Sequence, residues 1–66
     1  MRQTDFWERM SEVFGSAYAR SVASDQILSQ LGGRTIVAAL AEGADVQAVW
    51  RAVCAQYPDR IPARLR

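Results

Sequence analysis

Residues 31–50 read LGGRTIVAALAEGADVQAVW, and the role given to their glycines decides the fold. Two glycines lead through Arg34 and Thr35 into an apolar run, and Gly43 leads into another. A phosphate-binding loop would use the helix N-terminus behind GGRT, with a cation and a hydroxyl beside it. Walker-type loops, however, place a lysine after a longer glycine loop, and dinucleotide loops follow a strand. This stretch has neither feature. Glycines that end one helix and a threonine that caps the next account for it without a ligand. A helix-turn-helix fits the lengths as well, with Thr35 to Gly43 followed by Asp45 to Val53. Against DNA reading, Glu42 precedes the turn glycine where an apolar residue usually packs. The second helix also offers only Gln47, Arg51 and Gln56 to base edges. Most DNA affinity comes from clustered basic residues on phosphates, which are missing here. The stretch is therefore read as a helical hairpin, helix-turn-helix-like in shape.

Working outward, Asp45 caps a last helix whose Val46, Val49, Trp50, Val53, Cys54 and Tyr57 form one apolar stripe. Pro58 closes it. Residues 59–66, DRIPARLR, have too little periodicity for an element and are expected to form a flexible, arginine-rich tail. At the other end, Thr4 is the expected cap of a helix carrying Phe6, Trp7, Met10, Val13 and Phe14 on one side, with Gly15 ending it. Between them, Tyr18 and Val22 share one direction, whereas Ile27, Leu28 and Leu31 lie nearly opposite at about 100° per residue. One straight helix cannot bury both sets. The expectation is a short helix from Ala17 to Ala23, a kink, and a second from Asp25 to Leu31. No period-two run is long enough for a strand. The sequence thus predicts an all-α bundle of four to five short helices over residues 1–58. Its Trp7 and Trp50 stripes meet at the centre.

The chain has 66 residues, and a domain that small buries only about 60% of the surface its unfolded chain exposes. Cys54 is the single cysteine and histidine is absent, so neither an intrachain disulfide nor a Cys/His metal site is available. No cofactor is expected. All 8 basic side chains are arginine, and the net charge of +1 gives no field toward nucleic acid or an anionic membrane. No apolar run approaches the roughly 18 residues of a membrane span. MRQTDFWERM puts charges where a secretory signal has its apolar core, which predicts a cytoplasmic protein. Without histidine or lysine the usual activating bases are missing, and Cys54 lies on an apolar stripe where burial makes a thiol inert. Glu8 and Glu12 share a solvated helix face. The chain is not expected to be an enzyme.

RQTDFWERMSEVFGSAYARS at 2–21, LGGRTIVAAL at 31–40 and VWRAVC at 49–54 together resemble a small actinobacterial family, domain of unknown function family 3046. The resemblance runs from Arg2 to about Cys54 and leaves the tail outside. It carries no established activity, so it implies no catalytic residue. Members similar to this chain are often encoded beside recombinase and recombinase-regulator genes, which implies a link to DNA repair or its regulation.

The expected function is therefore a non-enzymatic protein-interaction module, its partner an unidentified protein or a second copy. Tyr, Trp and Arg anchor binding hot spots. On that ground Tyr18, Tyr57, Arg34 and Arg51 are the candidate partner surface. The alternative, less favoured, is a weak DNA-binding module using Arg34, Gln47, Arg51, Arg60 and Arg64.

Overall fold

A computed structural model describes all 66 residues. Four helices carry the fold: α1 (Gln3–Phe14), α2 (Ser16–Asp25), α3 (Ile36–Ala41) and α4 (Val46–Gln56). Two-residue strands, β1 (Ile27–Leu28) and β2 (Arg34–Thr35), pair antiparallel, with Ile27 opposite Thr35 and Leu28 opposite Arg34. Single 3-10 turns occupy Ser29–Leu31 and Ala63–Leu65. The chain is mostly helical, and none of its helices is long and apolar enough to cross a membrane.

The two expected stripes do meet. Phe6, Met10 and Phe14 of α1 are buried, as are Val49, Trp50 and Val53 of α4. Phe6 stands edge-on to Trp50 at 5.8 Å between ring centroids, a favoured aromatic arrangement. Ile36, Ala39 and Leu28 complete this centre from α3 and β1. Thr35 caps α3 as expected, its hydroxyl accepting from the Ala38 N–H at 3.1 Å. Asp45 does the same for α4, accepting from Ala48 at 3.2 Å. Thr4, in contrast, is not a cap. Helix α1 begins two residues earlier than a Thr4 cap would set it, with Arg2 at the N-cap, whose N–H donates to the Asp5 carboxylate at 3.4 Å.

Gly15 alone joins α1 to α2. Its N–H donates to Ser11 O and its carbonyl accepts from Ala19 N–H, both at 2.8 Å, so one residue closes one helix and opens the next. The corner needs φ +87° and ψ 145°, a region essentially restricted to glycine.

Beyond this corner the structure corrects the expected kinked pair. Helix α2 continues unbroken through Ser24, whose hydroxyl donates back to Arg20 O at 2.7 Å instead of capping a new helix. Gln26 is extended, and residues 27–31 form β1 and a 3-10 turn, not a helix from Asp25 to Leu31. The change of phase read from the sequence is real, but it arises because the backbone leaves the helix. Extended pairing buries Leu28 and leaves Ile27 56% exposed.

The tail is the second correction. Residues 59–66 fold back over α1 and α4. Ile61 is 4% exposed and joins the core, with Leu65 packed against it. The buried Trp50 indole donates its N–H to Leu65 O at 2.7 Å. Arg9 donates to the same carbonyl at 3.4 Å, and Arg64 pairs with Glu12. Arg66 donates to Ile61 O and Pro58 O, folding the segment on itself. A buried indole N–H needs an acceptor, and only the returning chain supplies one. The segment is a strap.

Candidate interaction surface

Tyr18 on α2 and Tyr57 at the end of α4 come together on the rim of Phe14. The Phe14 and Tyr57 rings meet edge-on at 5.3 Å, and Tyr18 lies tilted against Phe14 at 6.4 Å. Arg60, in the turn that starts the strap, places its guanidinium over the Phe14 ring at 5.1 Å. Local sequence explains half of this cluster. Phe14 and Tyr18 are four residues apart, but the Gly15 corner intervenes and tilts the two helices. Pro58 then ends α4 and turns the chain so that Arg60 reaches Phe14.

Phe14 is itself buried, whereas Tyr18 is 57% exposed and Tyr57 half-buried. The outcome is a solvent-facing patch of two phenols and a guanidinium on an apolar floor. Burial pushes the Tyr57 phenol above its ordinary pKa, the neighbouring Tyr18 adds to the rise, and Arg60 offsets part of it.

The other expected surface residues lie elsewhere. Arg34 is engaged within its own corner, donating to Leu31 O at 2.8 Å and pairing with Glu42 at 2.8 Å. Arg51 is exposed on α4 and takes part in no ion pair. Gln47, one turn before it, is half-buried. Of the residues considered for DNA, Arg64 is held by Glu12 and Arg60 by Phe14, so only Gln47 and Arg51 share a helix face. Arg60, a candidate of the nucleic-acid alternative, lies beside the tyrosines on Phe14. Phe14, read purely as core, is the platform that organises all three. The spacing of Phe14 and Tyr18 was the signal available for it.

Cys54 is half-buried on α4, packed against the core. Burial pushes its thiol above the ordinary value, partly offset by the Arg66 and Arg9 guanidiniums. A thiol so placed is a poor nucleophile at neutral pH. No three side chains among Asp, Glu and Cys gather where they could hold a metal ion.

No curated protein and no solved structure matches the chain. The model of the family described as "Protein of unknown function (DUF3046)" does match, over residues 1–64. The similarity thus extends past Cys54 into the strap, where the sequence resemblance had left it out. Spanning the helices, the tyrosine cluster and most of the strap, this match shows that the chain belongs to the family of proteins of unknown function DUF3046.

Proposed function

We propose that this chain is a non-enzymatic protein-interaction module, and that Tyr18, Tyr57 and Arg60 form its partner surface. The observation that carries the reading is the gathering of two tyrosines and an arginine, drawn from three separate segments, onto one face with Tyr18 57% exposed. Tyrosine and arginine supply large contact area together with polar tips, which is the chemistry of binding hot spots. A raised Cys54 thiol and the absence of histidine and lysine support a non-enzymatic role. The gene neighbourhood implied by the resemblance directs the search for a partner toward DNA repair and its regulation. The helix-turn-helix-like hairpin of α3 and α4 is read as a structural corner in this proposal.

The test is capture from a lysate of the native organism with the full chain, its Tyr18→Ala variant and the exposed-site control Gln30→Ala. A protein retained by the parent and by Gln30→Ala, lost with Tyr18→Ala and indifferent to moderate salt, supports the reading. Retention of nucleic acid that is released by salt and lost with Arg51→Ala overturns it in favour of DNA binding.

A further inference from the structure

A second face of the molecule is built differently from the tyrosine patch. Between α1 and α2 runs an open groove of about 630 Å³, walled by Gln3, Thr4, Trp7, Glu8 and Ser11 of α1 and by Arg20 of α2. Its inner end, about 280 Å³, shares Trp7, Ser11 and Arg20 and is closed by Ser16 and Ala19. Trp7 is half-buried and stands edge-on to Phe6 at 5.4 Å. Packing on the core therefore holds the indole, and its other surface lines the groove.

The charges along this groove are ordered. Arg20 is the one charged group at the inner end, accompanied by the Ser11 and Ser16 hydroxyls. Glu8 lies only at the outer end. Both are exposed, and neither takes part in any of the ion pairs of the chain, which join Arg2 to Asp5, Arg34 to Glu42 and Arg64 to Glu12. Opposite charges thus line one groove without pairing with each other, and Trp7 lines it with them.

We infer that the groove between α1 and α2 binds a short extended peptide segment that places an acidic side chain against Arg20, an apolar one on Trp7 and a basic one beside Glu8. Arg20 with two hydroxyls is a donor set suited to a carboxylate. The indole gives a neighbouring apolar side chain a surface to cover. Glu8 favours a cation at the far end and disfavours a polyanion such as nucleic acid. This site stands apart from the tyrosine patch. Tyr18 and Arg20 are two residues apart on α2, about 200° around the helix, and so face different sides.

The experiment uses the full chain labelled for NMR, in which Trp7 and Trp50 give two indole N–H signals. The probes are acetyl-Glu-Leu-Lys-amide, the reversed acetyl-Lys-Leu-Glu-amide and the neutral acetyl-Gln-Leu-Gln-amide. The Trp7 signal is expected to move saturably with one of the charged peptides and not with the neutral one, while the Trp50 signal stays in place. Arg20→Gln should weaken that binding about tenfold, the loss that accompanies one charge-assisted hydrogen bond. Tyr18→Ala should leave it unchanged. An unmoved Trp50 signal certifies that each variant is folded. Equal shifts with the neutral peptide, no saturation with either charged one, or undiminished binding by Arg20→Gln each overturn the inference. Tyr18-dependent capture of a protein can survive that failure, and peptide binding here can survive the failure of capture.

Discussion

If the strap is part of the fold, Ile61→Ala will destabilise the whole chain. Ile61 is 4% exposed and sits at the edge of the core. Truncating a buried isoleucine to alanine costs about 2–5 kcal/mol. A site at the edge of a segment only eight residues from end to end can collapse, or admit water, more readily than a central one. The low end of that range, about 2 kcal/mol, is therefore expected. A chain of 66 residues carries about 3–10 kcal/mol in total at the usual stability per residue. The substitution thus removes a sizeable fraction of it. Deleting the strap is a poorer experiment, because deletion also releases the ordering entropy of its residues, about 1–2 kcal/mol each, and the two effects offset one another.

Urea unfolding followed by far-ultraviolet circular dichroism measures the loss. Exchange of the Trp50 indole proton measures the local event, since that N–H is held by Leu65 O at 2.7 Å. Ile61→Ala should lower the urea midpoint and speed the exchange by about thirty-fold, the equivalent of about 2 kcal/mol. Ala63→Ser, on an exposed residue of the same segment, should stay within about 0.5 kcal/mol of the parent. An unchanged midpoint together with an unchanged indole exchange rate would refute the reasoning and return residues 59–66 to the mobile tail that their composition suggests.

Gly15→Ala should cost about 1–3 kcal/mol in urea unfolding. A Cβ there meets nothing within 4 Å, so the whole effect comes from holding φ at +87°. Thr35→Ala and Asp45→Ala each remove one observed cap bond and should each cost about 0.5–2 kcal/mol. Burial raises the pKa of the Cys54 thiol and, together with Tyr18, that of the Tyr57 phenol. The folded state therefore holds these protons more tightly than the unfolded chain. That stabilisation is intact below the ordinary thiol and phenol values and is lost as pH rises through the raised ones. The urea midpoint should fall on the alkaline side, and Cys54→Ala should remove the earlier part of the fall. Tyr18→Ala should leave stability within about 0.5 kcal/mol while weakening partner binding about tenfold.

The sequence made α1 and α4 legible because each buries a single face, and a helical repeat of apolar residues records that directly. Phe6, Met10, Val49 and Trp50 fell where they were expected. For residues 24–31 the repeat recorded a change of direction but not its kind. A new helix and a short extended pairing both turn Leu28 inward, and two-residue strands are too brief to show a period of two. The strap left still less trace. Ile61 is buried and Leu65 half-buried, but two apolar residues four apart are too few to record a repeat, and what Leu65 gives to Trp50 is its backbone carbonyl, a group every residue possesses. The proposed interaction surface is half legible for a related reason. Tyr18 lies outside the two stripes and Tyr57 at the very end of the second, which marks both as candidates for a surface, whereas their meeting on Phe14 depends on the Gly15 corner and the Pro58 turn acting together. Arginine was the least readable residue type. Arg34 ties a corner, Arg64 and Arg66 fasten the strap, Arg60 lies on a ring, and Arg20 lines a groove. Where one residue type supplies every positive charge, its position in space assigns its role: the ion-paired Arg34 and Arg64 tie the scaffold, whereas Arg60 and Arg20, outside any ion pair, lie on the surfaces proposed to meet a partner.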